Sequence, residues 1–149
     1  MHIWKIVFAL SDYANKDKKT KSPIYRCHSV CRAMKAVVPE VEVIDGHYLG
    51  LRWRKAGTKR RLIAMLNCNH TWLLLPRGSI VDLYPVGIIP NPLLVVNRGK
   101  YKPFGGGLYV KDRSVTKKVM TPAMWKETQI ITAYARKVVK AQKEKEPTK

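Results

Sequence analysis

The chain has 149 residues, 46% of them hydrophobic, with 29 Lys+Arg against 10 Asp+Glu and a formal net charge of +19. This excludes a disordered chain and fits a single domain, residues 1–149, with one core that buries about two-thirds of the unfolded surface. No apolar stretch approaches the ~20 residues of a membrane span, and an odd set of three cysteines, Cys27, Cys31 and Cys68, is no disulfide framework.

A reducing cytoplasm is therefore the expected location. The apolar run from Ile6 to Leu10 is too short for a signal peptide and no small-residue cleavage site follows it. So much positive charge repels itself in a compact state. It suits a polyanionic partner: nucleic acid, ribosome, an anionic membrane surface, or an acidic protein or peptide substrate. No motif calls for a cofactor.

In chain order, Ile3 to Leu10 reads as a strand and the Lys-rich Ser11 to Lys21 as a loop. Ser22-Pro23 is a helix-start signature. Cys27, Val30, Cys31, Met34, Val37 and Val38 then recur at helical spacing until Pro39 stops the helix. Val41 to Leu51 reads as a strand, with Gly46 a bulge or a point of close approach. Arg52 to Arg61 carries Arg52, Arg54, Lys55, Lys59, Arg60 and Arg61 without an acid, and Gly57 favours an exposed loop. Trp53 among these arginines is placed to stack on bases, and the basic side chains to grip phosphates or select an acidic substrate.

Leu62 to Leu75 and Ser79 to Tyr84 follow as strands joined by Pro76-Arg77-Gly78, and Leu93 to Val96 is another. Gly105 to Gly107 reads as a loop. Thr121-Pro122 repeats the cap signature and opens a C-terminal helix, whose Arg136, Lys137 and Lys140 read as a solvated face. A frayed basic tail is expected over residues 142–149. The order predicts an α+β fold: an N-terminal helix carrying the cysteine, packed on a central antiparallel β-sheet, with a C-terminal helix.

The chemistry-bearing residues lie in the hairpin. A three-residue turn with Gly78 in the left-handed region pairs Leu75 with Ser79 and sets Asp82 opposite Trp72. His70 and Asp82 are then diagonal neighbours on one face. A two-residue turn would put them on opposite faces. A carboxylate in the apolar strand Ile80-Val81-Asp82-Leu83 is costly without a partner, and His70 is the nearest candidate. An Asp-held His serves as a base for a nucleophile. Cys27, near a helix N-terminus, is preferred as that nucleophile over Cys31, one turn deeper. Cysteine is also a common core residue, so both thiols have a purely structural reading. A zinc reading of Cys27, Cys31, Cys68 and His70 lacks the spacing of a common finger, and no metal is expected.

Cys27-His28-Ser29-Val30-Cys31-Arg32-Ala33, Val43-Ile44-Asp45-Gly46-His47-Tyr48, His70-Thr71-Trp72 and Ile80-Val81-Asp82, in this order, resemble the papain-like and transglutaminase-like cysteine hydrolases. The likeness is to small bacterial and phage members and covers roughly residues 24–97. The resemblance implies Cys27 as nucleophile, His70 as general base and then acid, and Asp82 as orienter. The activity implied is hydrolysis or acyl transfer at an amide or thioester. The family's usual Gln before the cysteine is absent, where Pro23, Ile24, Tyr25 and Arg26 stand, so an oxyanion hole would come from backbone N–H groups or another side chain. The alternative is a catalytically idle basic module that binds nucleic acid or another polyanion.

Overall fold

The computed structural model describes residues 2–16, 26–56, 59–84, 93–95 and 108–145, with side chains described for 2–14, 26–48, 69–84 and 109–145. The first element is not a strand. Ile6, Val7, Leu10 and Ala14 repeat at helical spacing, and all are buried along one side of a helix, α1 (Ile3–Lys16). Trp4 and Phe8, which made the segment look uniformly apolar, point outward and are 40% and 53% exposed. The cysteine therefore sits on the second helix, α2 (Arg26–Val37). Ser22 and Pro23 lie outside the described residues, as does the stretch from Asp17 to Lys21.

Helix α2 buries more than a stripe. Arg26, Cys27, His28, Ser29, Val30, Cys31, Ala33 and Met34 are all buried, because α2 is wedged among α1, the C-terminal helix and the sheet. Helices buried on several sides lose the polar face that a surface helix shows. Arg26 remains satisfied there through the carbonyl oxygen of Ala14 at 3.0 Å and Glu127 at 3.8 Å.

The sheet comprises β1 (Glu42–Ala56), β2 (Lys59–Leu74), β3 (Ile80–Asp82), β4 (Leu93–Val95) and β5 (Leu108–Lys111), in the order β4-β3-β2-β1-β5. Every neighbouring pair is antiparallel. The expected basic loop is mostly strand: Arg52 to Ala56 extend β1 and Lys59 to Arg61 begin β2, with Arg54 opposite Arg61 and Lys55 opposite Arg60. The side chains of Arg52, Trp53, Arg54, Lys55, Lys59, Arg60 and Arg61 lie outside the described ones. A long hairpin satisfies its backbone groups across the ladder, which outweighs the segment's charge and its Gly57.

Gly46 marks close approach rather than a bulge. A Cβ there would collide with the Val110 carbonyl oxygen of β5 and stand 2.8 Å from the Trp72 ring. The irregularity in the β1–β2 ladder falls instead between Arg52 and Trp53. Two elements escaped the sequence reading: β5 and α3 (Ser114–Val119). The last helix, α4 (Pro122–Glu144), starts on a Thr121 cap whose Oγ1 accepts from the Met124 N–H at 3.2 Å. It runs further than expected, continuing through residues 142–144. Arg136, Lys137 and Lys140 lie on it.

The core lies between the helices and the sheet. Ile6 and Leu10 of α1, Val30 and Met34 of α2, Leu73 and Val81 of the sheet, and Ile131 and Ala135 of α4 form one buried cluster. The architecture is thus α+β, an antiparallel sheet packed by helices and closed by a C-terminal helix. No helix among the described residues is long and apolar enough to cross a membrane.

The β2–β3 turn sets the register of everything below. The Leu75 N–H donates to the Ser79 carbonyl at 2.9 Å and the Gly78 N–H to the Leu75 carbonyl at 2.8 Å. Gly78 has φ 81°, a conformation that costs a side-chain-bearing residue about 1–2 kcal/mol. Gly78→Ala should therefore lower stability by about 1 kcal/mol, read as a reduced urea midpoint at unchanged slope.

Candidate active site

With Leu73 opposite Val81 and Leu74 opposite Ile80, alternation puts His70, Trp72 and Asp82 on one face of the sheet. His70 Nε2 and Asp82 Oδ2 are 2.7 Å apart, the side chains 0% and 1% exposed. Asp82 is held on every side. Its Oδ1 accepts from the Tyr84 N–H at 3.1 Å, and Oδ2 also accepts from the Tyr109 hydroxyl at 2.8 Å. Since a carboxylate only accepts, Nε2 of His70 carries a proton. The other ring nitrogen, Nδ1, is buried and is not engaged by Asp82. It is the nitrogen left for a second proton.

Aromatic rings surround this imidazole. Trp72 stacks at 6.2 Å between centroids, and Tyr48 and Tyr109 approach at 6.0 and 6.2 Å. Tyr48 and Tyr109 are direct cross-strand partners between β1 and β5, so the unforeseen β5 builds one wall of the site. Burial and the Asp82 charge push the Tyr109 hydroxyl far above its ordinary range, so it stays a donor.

Cys27 is the second residue of α2 and is fully buried. Burial alone pushes its thiol up. The charge of His70, hydrogen bonding with His28 and His70, and the charge of His28 overcome that, and the pKa falls from 9.0 to about 6. His70 shows the counterpart. Burial lowers it, but the charges of Asp82 and Cys27 and hydrogen bonds to both raise it well above 6.5. The two shifts run in the direction of a thiolate–imidazolium pair.

Cys31 differs. It is equally buried, its Sγ lies 3.5 Å from the Thr71 carbonyl oxygen, and burial followed by the charges of Cys27 and Asp82 pushes its thiol well up. One turn of helix separates a thiol shifted down from one shifted up.

A second polar cluster adjoins the first. Asp45 of β1 takes a two-pronged contact from Arg32, with Nη1 to Oδ1 at 3.2 Å. It also accepts from the hydroxyls of Thr71 and Thr116, each at 2.6 Å. Burial raises the Asp45 carboxyl, but these four donors hold it below its ordinary value. The Thr71 hydroxyl oxygen also meets His28 Nδ1 at 2.5 Å. His28, Thr71, Asp45, Arg32 and Tyr109 were not singled out from sequence. Asp45, next to Val43 and Ile44, carried the same signal as Asp82, a carboxylate in an apolar strand that needs partners.

Among the described residues, no group of three or more His, Cys, Asp or Glu is arranged to hold a metal ion. The Cys68 side chain lies outside them. Comparison with protein-family models, curated proteins and solved structures finds no match for the chain.

Proposed function

We propose that the protein is a cysteine hydrolase or acyltransferase of papain-like or transglutaminase-like type, acting on an amide or thioester through Cys27, His70 and Asp82. One observation carries the reading: a buried His70–Asp82 pair, 2.7 Å apart, coupled to a thiol at the start of a helix. Asp82 fixes the proton on Nε2, so Nδ1 receives the proton of Cys27. The thiolate attacks the carbonyl carbon, the imidazolium returns its proton to the leaving group, and water or an amine, deprotonated by His70, releases the acyl group. The backbone N–H groups of the first turn of α2 have no helical partner and supply a positive potential for the oxyanion. The net charge of +19 favours an anionic substrate.

The test uses p-nitrophenyl acetate, small enough for an enclosed site, at pH 7. The expected result is a burst of nitrophenol with the acetyl group mapped to Cys27, kept in Cys31→Ala and lost in His70→Asn. Acetylation confined to lysines would overturn the proposal and leave the idle basic module as the better reading.

A further inference from the structure

Asp82 is anchored from beyond its own hairpin. Its Oδ2 meets His70 Nε2 at 2.7 Å and also accepts from the Tyr109 hydroxyl at 2.8 Å. In the strand order β4-β3-β2-β1-β5, two strands stand between Asp82 on β3 and Tyr109 on β5. Neighbouring strands lie about 4.8 Å apart, so a flat sheet would hold the two backbones about 14 Å from each other. The bond therefore needs a long side chain and a sheet that curls toward this face. Tyr109 reaches across β1 and β2, its ring centroid 5.2 Å from that of Tyr48 and 5.1 Å from that of Trp72. Packing explains the ring but not the hydroxyl, since phenylalanine would complete the same aromatic wall.

The direction of the hydroxyl is fixed. A carboxylate only accepts, so the Tyr109 proton points at Oδ2. That oxygen is the one His70 uses. Two donors draw on the same lone-pair charge, so the bond from Tyr109 weakens the hold of Asp82 on the His70 proton. Among the described residues, the other titratable groups facing the pair are Cys27 and Cys31 of α2 and Tyr48 of β1. An imidazolium gripped too tightly by its carboxylate is a poor acid for a leaving group.

We propose that Tyr109 is a positioning residue for His70: by sharing Oδ2 of Asp82 it holds that carboxylate in place across the sheet and keeps the imidazolium acidic enough to return its proton to the leaving group. This rests on the reading of His70 as general base and then acid. It gives the hydroxyl of Tyr109, which touches no reacting atom, a part in the chemistry.

The experiment follows the His70 ring by nitrogen-15 NMR through a pH titration of wild type and Tyr109→Phe, its signals identified by their loss in His70→Asn. The expected result for Tyr109→Phe is a His70 midpoint raised by about one half to one unit, roughly three- to tenfold in proton affinity. Its Nε2 proton should move downfield as the remaining bond to Oδ2 tightens. The alkaline limb of the rate profile with p-nitrophenyl acetate should rise with the midpoint, while the acid limb stays. If Tyr109→Phe does not fold, 3-fluorotyrosine at residue 109 keeps the ring, makes the hydroxyl a stronger donor and should shift both signals the opposite way. A tyrosine with a structural role alone would cost stability when replaced and leave the His70 midpoint and the Nε2 proton unmoved. That result, with Cys27 still acetylated, would overturn the role of Tyr109 and leave the Cys27–His70 reading standing. A moved midpoint in a protein whose Cys27 is never acetylated would overturn the catalytic reading instead.

Discussion

His70→Asn should abolish acyl transfer, with kcat for a small ester falling by a factor on the order of 10⁴–10⁶, and should raise the Cys27 thiol by about two units or more. The largest opposing contribution, burial, stays in place, while the leading favourable one, the His70 charge, is removed. On the proposed mechanism the reactive form is the thiolate–imidazolium pair. Activity should therefore rise as pH increases through about 6, where Cys27 ionises. It should fall only when His70 loses its proton, well above 6.5. A pH–rate profile checks both limbs. An activity limb at the ordinary thiol value of 9.0 would show that the pair does not form.

The same shifts set the pH dependence of stability. Cys27 is lowered in the folded state, so alone it contributes stability above its unfolded value that is lost as pH falls through about 6. His70 is raised, so alone it contributes stability below 6.5 that is lost as pH climbs through its folded value. Just above 6.5 the unfolded chain holds one proton on sulfur and the folded chain one on the imidazole. The counts cancel, and the pair adds no slope.

Asp45→Asn is expected to be the most destabilising single polar change, at about 2–4 kcal/mol. The Arg32 and Asp45 side chains are 12% and 7% exposed, so the substitution leaves a nearly buried guanidinium without its charge partner. Thr71 and Thr116 donate to the same carboxylate, and that ties α2, β1, β2 and α3 to one group. Urea denaturation at pH 7 gives the number. A loss below about 0.5 kcal/mol, the range of ordinary surface substitutions, would show that the cluster does not hold these elements together. Arg32→Met combined with Asp45→Leu should recover much of the loss, since a buried ion pair replaced whole by apolar residues is often neutral.

Local patterns made much of the site legible. The cysteine helix was visible in the spacing from Cys27 to Val38, and the C-terminal helix in its Thr121-Pro122 start. The hairpin was legible because a single glycine decides its turn: with Gly78 at φ 81° the loop has three residues, and side-chain alternation then puts His70 and Asp82 on one face. The α+β class and the antiparallel sheet follow from the same reading.

Other features were decided by contacts between segments distant in sequence. Whether Ile3 to Leu10 forms strand or helix depends on what covers its apolar side. That is the core of α2 and α4, which selects the helical repeat of Ile6, Val7, Leu10 and Ala14. Arg52 to Ala56 and Lys59 to Arg61 became strand because β1 and β2 pair with each other. The aromatic wall, the Tyr109 bond to Asp82 and the Asp45 cluster all link residues far apart in the chain, the hydrogen bonds spanning at least 13 positions, beyond any local periodicity. By itself the sequence determined which side chains occupy the helix start and the hairpin face, since local geometry sets those positions. Only the tertiary structure separated the two thiols, lowering Cys27 and raising Cys31. Burial raises both thiols alike, and only Cys27 is packed where His70 and His28 offset it.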